Sequence, residues 1–181
     1  KKEETERQLL RLLGNSPLQI KVEFLHTTSH VAKNTPQSYL EKFYKTFDEV
    51  QYSYYDGLII TGAPIEHLEF EDVNYWGELN QIFDWSKTHV FSTLNICWAA
   101  QASLYYHFGV KKEQVDDKIF GVFEHDVLIE NHTLTRGFTD TFLAPHSRHT
   151  KIEEEKLPTI SELDVLARSE EVGTLLAATK D

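Results

Sequence analysis

The sequence predicts an α/β fold, with three layers, a mostly parallel sheet and flanking helices. Three observations predict it. Strand-like and helix-like segments alternate up to residue 109, as in βα units. The run Leu58-Ile59-Ile60-Thr61 is continuously apolar, which suits a strand covered on both faces. The chain has 181 residues, 40% apolar and 12% aromatic, enough for one domain with a real core and hardly for two.

The elements follow in order. Leu9, Leu10, Leu12 and Leu13 give a first helix an apolar stripe, and Gly14-Asn15 with Pro17 stops it. Leu18 to Leu25 alternates like a strand, with Ile20, Val22 and Phe24 on one face. Thr35-Pro36 opens a helix, with Tyr39, Phe43, Tyr44 and Phe47 behind it. Asp56-Gly57 reads as a turn into the apolar strand, and Gly62-Ala63-Pro64 as the loop after it. Leu79, Ile82 and Phe83 mark a helix ending near Lys87. Val90 to Ile96 is the next strand, and Trp98 to Phe108 a helix stopped by Gly109.

The second half reads mainly as strands. Gly121 to Ile129 is one and Thr133 to Phe138 another. Leu143 to Thr150 reads as a loop, while Asp164 to Ser169 and Thr174 to Ala178 read as a closing strand pair.

Composition removes several classes of function. With 29 acidic against 18 basic side chains the net charge is −11, so no nucleic-acid partner is expected. An anionic membrane surface is disfavoured equally, and no apolar run is long enough to span a bilayer. The single Cys permits no internal disulfide and no Cys-based zinc cluster, and no metal site is expected. A cytoplasmic protein is the expectation.

Cys97 is the most informative residue. It stands between the strand Thr93-Leu94-Asn95-Ile96 and a helix opening Trp98-Ala99-Ala100-Gln101-Ala102. A strand-to-helix turn exposes a nucleophile at the sheet edge, and a helix N-terminus favours the thiolate. The competing reading is a small buried core residue. Gly62 ends the preceding strand, and backbone N–H groups at Gly62, Ala63 and Trp98 are the candidates to face an oxyanion.

A thiol needs a base, and the nine His offer several. His67-Leu68-Glu69 has base-and-carboxylate spacing but lies in a loop before the nucleophile. His26 and His30 lack a carboxylate partner for a metal site. His125, between Glu124 and Asp126, and His146 with His149 remain.

Asn95-Ile96-Cys97-Trp98-Ala99-Ala100-Gln101-Ala102 resembles the homoserine O-acyltransferase family, also called homoserine O-succinyltransferases. Blocks at Gly14 to Gln19, Asp56 to Pro64 and Phe142 to Arg148 resemble it in the same order, and so does Lys1 to Glu6. The resemblance implies a class I glutamine amidotransferase-like (flavodoxin-like) fold and a Cys-His-Glu triad. By position it implies Cys97 as the acylated nucleophile and Lys118 and Ser147 as contacts to the amino-acid substrate. Glu66 matches the position that sorts acyl donors. A carboxylate there goes with acetyl-CoA, because it repels the free carboxylate of a succinyl group.

The implied function is transfer of acetyl from acetyl-CoA to the hydroxyl of L-homoserine, in methionine biosynthesis. Acetyl-CoA is then a co-substrate, no resident cofactor is expected, and a homodimer is an expected assembly. Succinyl-CoA as donor and L-serine as acceptor stay open, since one methylene discriminates by only about 1–3 kcal/mol. A glutamine amidotransferase-like hydrolase and a non-catalytic binding module are the readings from other classes. The family's Gly-His-x-Glu-type segment does not occur in this sequence, nor does its first strand. The helical opening and the polar ending Lys180-Asp181 fit one partial acyltransferase domain of a longer protein. The expectation is therefore that no His of this chain reaches Cys97.

Overall fold

In the computed structural model, which describes residues 2–29 and 37–180, helices and strands alternate as far as Phe108 and four longer strands follow. The chain divides into two units, Lys1–Leu58 with Asn74–Ser92, and Ile59–Val73 with Thr93–Asp181.

The first unit holds α1 (Lys2–Gly14), β1 (Phe24–Leu25), α2 (Gln37–Phe43), β2 (Tyr44–Lys45), α3 (Phe47–Val50) and α4 (Trp76–His89). Helix α1 carries Glu3 and Glu4 in its first turn and Arg11 in its last, each sign at the end the helix dipole favours. The Glu49 carboxylate reaches back to accept from the Thr46 N–H at 2.7 Å and caps α3. Buried Leu79, Ile82 and Phe83 line α4 at helical spacing. Trp85 of α4 meets Phe47 and Tyr55 edge-on, and its indole N–H donates to the Gln51 carbonyl at 2.8 Å. Strands β1 and β2 pair in parallel.

Two strands, β3 (Tyr55–Ile60) and β4 (Val90–Asn95), pair with each other, and each starts in the first unit and ends in the second. The second unit continues with α5 (Trp98–Phe108), β5 (Lys112–Val127), β6 (Thr141–Ile152), β7 (Leu163–Ser169) and β8 (Gly173–Thr179). Gly109 closes α5 in the left-handed conformation, at φ 66°. The last four strands form one sheet in the order β6-β5-β7-β8. Val110, Leu157 and Leu163 centre a buried cluster, with Leu104, Phe108 and Val165 packed on it.

The mixed α/β class holds, and so do the strand-Cys97-helix unit and the closing strand pair. Several expectations change. The four-stranded sheet is antiparallel throughout, not parallel. Its strands follow one another without the crossover helix that a parallel pair needs. Leu143 to Thr150 is not a loop but the body of β6. Pro145 signals a break, yet β6 is an edge strand, where a missing N–H costs no ladder bond. Thr133 to Phe138 is not a strand: Thr133–Thr135 is a 3-10 turn in which His132 Nδ1 accepts from the Leu134 N–H.

Among the described residues only Phe24–Leu25 of the expected Leu18 to Leu25 strand finds a pairing partner, and Leu18 and Ile20 are exposed. Asp56-Gly57 lies inside β3 and makes no turn. The helix opening at Thr35-Pro36 lies outside the described residues.

Candidate active site

Cys97 is the N-cap of α5 and is solvent-exposed. Its backbone sits at φ 60°, ψ −123°, and among the described residues Asn131 is the only other non-glycine with positive φ. A side chain held there is strained, and such strain concentrates at functional turns. The sequence produces it locally. Ile60 accepts from the Ile96 N–H at 2.9 Å, which holds the strand to its end. Immediately after, the Ala100 and Gln101 N–H groups both point to the Cys97 carbonyl, so the helix starts with no spare residue. Ala99 and Ala102 are fully buried behind the turn, and Trp98 packs on Phe70 at 5.8 Å.

Gly62 lies directly against this elbow. A Cβ built on it meets the Cys97 Cβ at 2.9 Å and the Ile96 oxygen and Trp98 nitrogen at 3.1 Å. The end of β3 and the turn at Cys97 thus come together as expected. The backbone of Gly62 and Trp98 borders the space beside the thiol. Ala63 is its chain neighbour and is half-buried.

Glu66 is held from both ends. Its Oε2 accepts from the His149 N–H at 2.9 Å and from the Thr150 hydroxyl at 3.2 Å. Its carbonyl accepts from Lys112 Nζ at 2.6 Å and from Gln114 Nε2 at 3.1 Å. Thr150 is fully buried and also bonds the Gln101 side chain, one turn into α5 from Cys97. Thr150 thereby ties Glu66 to the helix that carries the thiol.

Arg148 is fastened on three sides. Nη1 donates to the Thr150 carbonyl at 2.7 Å, Nη2 to the Val172 carbonyl, and Nε to His146 Nδ1 at 3.3 Å. Burial pushes its pKa down, and electrostatic interaction with Glu154, Glu66 and Cys97 opposes that. His125 and His146 bond each other through their Nε2 atoms at 2.8 Å.

Ser147 and Lys118 share the other face of this hairpin. Ser147 pairs with Phe120, and Lys118 Nζ lies 4.9 Å from the Phe120 ring. Side chains alternate along a strand, so Ser147 points away from His146, Arg148 and Thr150. The structure thus brings Lys118 and Ser147 each to Phe120, and Gly62 to Cys97. It links Glu66 to the second pair rather than the first.

His125 and His146 use all four ring nitrogens elsewhere, and His67 and His149 are exposed. Among the described residues no imidazole lies in hydrogen-bond reach of the Cys97 sulfur. Among the described residues there is also no cluster of three or more His, Cys, Asp or Glu fit to hold a metal ion.

Thr150 and Lys112 lie outside the quoted sequence blocks, and Gln101 and Arg148 lie inside them without being singled out as site residues. Alternation along β6 is the signal that could have found Arg148 and Thr150, once Pro145 is allowed inside an edge strand.

The profile of the family described as homoserine O-succinyltransferase matches residues 1–181. The chain belongs to this family. Curated relatives agree. A homoserine O-acetyltransferase of Petrotoga mobilis is 58% identical over 98% of this chain and 57% of its own length. That of Bacillus subtilis is 56% identical over 100% of this chain and 60% of its own. That of Acetivibrio thermocellus is 54% identical over 97% and 58%. The chain thus spans about three-fifths of the length of these relatives.

Among solved structures, a protein described as part of a GMP synthase from Thermoplasma acidophilum superposes with a TM-score of 0.57. It covers 90% of this chain and 80% of its own at 15% identity, and shows the fold alone. That fold is the class I glutamine amidotransferase-like one, so this member of the homoserine O-succinyltransferase family has the expected architecture. No described helix is long and apolar enough to cross a membrane.

Proposed function

We propose that this chain is the thiol-bearing part of a homoserine O-acetyltransferase. Acetyl passes from acetyl-CoA to L-homoserine through a thioester on Cys97. The observation that carries the reading is the strained, exposed Cys97 at φ 60°, pressed against Gly62 at the mouth of α5. The names of the relatives support the same chemistry.

In the first half-reaction the Cys97 thiolate adds to the thioester carbonyl of acetyl-CoA. The oxyanion forms beside the backbone N–H groups of Gly62, Ala63 and Trp98. Collapse breaks the C–S bond to CoA, which leaves as thiolate, and the acetyl group stays on Cys97. In the second, the homoserine hydroxyl attacks that acetyl group, loses its proton to a base and releases the Cys97 thiolate. The base is assigned to the His that the family resemblance puts in a Gly-His-x-Glu-type segment, which these 181 residues do not contain. Lys118 and Ser147 are assigned to the amino-acid substrate.

Glu66 is assigned to donor choice. Its fixed carboxylate opposes a succinyl carboxylate and favours acetyl-CoA. The family's own description favours a second reading, with succinyl-CoA as donor. The remaining assignments are methionine biosynthesis, the cytoplasm, a homodimer, and no resident cofactor beyond the co-substrate.

The test is to expose the protein to acetyl-CoA and to succinyl-CoA without acceptor, then map adducts by peptide mass spectrometry. Acetyl on Cys97 is expected. An accessible Cys97 that takes neither acyl group rejects the reading, and a preference for succinyl favours the second.

A further inference from the structure

His125 is fully buried and His146 nearly so, and the acyl transfer proposed above uses neither. Their ring centroids are 4.9 Å apart with planes 6° apart, and their Nε2 atoms meet edge to edge at 2.8 Å. A bond between two ring nitrogens needs one N–H and one lone pair. The Phe123 carbonyl decides which ring supplies which. It lies 2.9 Å from His125 Nδ1 and can only accept.

His125 is therefore assigned its proton on Nδ1 and offers a bare Nε2. His146 donates to it from Nε2, which leaves His146 Nδ1 bare. Arg148 Nε, a permanent donor, lies 3.3 Å from that bare nitrogen. The hydrogens run one way, from Arg148 to His146 to His125 to the Phe123 carbonyl. An added proton on either ring sets two N–H groups head to head. Burial, the Arg148 charge and His125 agree with this by pushing the His146 pKa down to about 4.

The far end of the row is the guanidinium. Its other two nitrogens are tied to the Thr150 and Val172 carbonyls. Thr150 in turn bonds Glu66 and Gln101 of the helix that begins at Cys97. Glu154, Glu66 and Cys97 are the groups that oppose the lowering of the Arg148 pKa by burial.

We propose that His146 is a positioning residue: the His125–His146 pair is a strut that fixes the Arg148 guanidinium beside the Cys97 site and thereby tunes the reactivity of the thiol. The proposal rests on the reading of Cys97 as the nucleophile.

Two measurements test it on the protein itself. Nitrogen-15 NMR of the imidazoles at neutral pH should find His125 protonated at Nδ1 alone and His146 at Nε2 alone. The opposite tautomers, or a cationic ring, overturn the strut. The second measurement is alkylation of Cys97 by iodoacetamide, read by mass spectrometry with no acyl donor present. His146→Ala should slow it about three- to tenfold at neutral pH, the scale of a displaced charge near a protein surface.

His146→Asn puts an amide oxygen where Nδ1 was and should restore most of the rate. His146→Gln reaches only toward His125 and should stay slow. Equal rates in the Asn and Gln variants overturn the proposal. So does a folded Ala variant that alkylates like the wild type. Because no acetyl-CoA is used, a Cys97 that never takes an acetyl group refutes the proposed function and leaves the strut standing.

Discussion

A Cβ on Gly62 would stand 2.9 Å from the Cβ of Cys97, closer than two such atoms approach. Neither neighbour can yield cheaply, because the other close atoms are the backbone of Ile96 and Trp98. Gly62→Ala should therefore displace the elbow, lower stability by about 1–3 kcal/mol and slow acetylation of Cys97. Denaturant unfolding and adduct mass spectrometry check the two effects. A variant with wild-type stability and rate would separate Gly62 from the site.

The strain at Cys97 predicts a gain of stability with a loss of chemistry. A non-glycine residue in such a conformation costs on the order of 1–3 kcal/mol. Cys97→Gly should raise the Tm and abolish acylation, whereas Cys97→Ala keeps the Cβ and should abolish acylation without that gain. If both variants melt alike, the elbow stores no strain.

Donor preference should follow Glu66. Like charges placed together cost several kcal/mol, so Glu66→Gly should move the succinyl-to-acetyl ratio of kcat/KM by about tenfold or more. The ratio is the quantity to read. The substitution also leaves the His149 N–H without its acceptor and the Thr150 hydroxyl with Gln101 alone, and lowers stability as well. An unchanged ratio removes Glu66 from the acyl pocket.

Acid should weaken the second unit through His146. Its folded pKa, about 4, lies below the ordinary imidazole value of 6.5, so between those values the unfolded chain binds the proton and the folded one does not. Stability from this group is complete above about pH 6.5 and is lost as pH falls toward 4. Thermal melts across that window should fall more steeply for wild type than for His146→Asn, which carries no titrating ring. Parallel curves would show that the ring is not held neutral.

Glu23 titrates in a lower window. The Tyr55 hydroxyl at 2.7 Å, then Lys45 and Lys21, hold its carboxyl down at about 2. Its contribution is present above the usual carboxylate range and disappears as pH falls toward 2. Glu23→Gln should flatten the acid limb of the melt there and leave the limb between about pH 4 and 6.5 unchanged. A variant that alters both limbs would mean the two groups do not titrate separately.

Local signals make the elbow legible in the sequence. A β-rich run, one Cys and an Ala-rich helix are adjacent in the chain, so the turn at Cys97 needs no long-range information. Gly109 and the closing strand pair are legible for the same reason. What escapes depends on partners. Leu18 to Ile20 alternate like a strand but find none, and Asp56-Gly57 is drawn into β3 by pairing with β4. Pro145 is a breaker in a central strand and harmless at an edge. A loop at Leu143 to Thr150 would have no alternating faces, so the shared face of His146, Arg148 and Thr150 stays hidden until the strand is seen. The His125–His146 contact joins residues 21 apart and carries no local signature.

Thr150 has one hydroxyl hydrogen and two candidate acceptors, Glu66 Oε2 and Gln101 Oε1, both at 3.2 Å. Gln101 Nε2 can donate to the same oxygen at 3.1 Å, and the charged carboxylate is the stronger acceptor. The amide therefore gives to the hydroxyl and the hydroxyl gives to Glu66. The helix that begins at the nucleophile and the residue assigned to donor choice are in this way joined through one hydroxyl group. Loss of that one hydroxyl would therefore cut the link between Glu66 and α5.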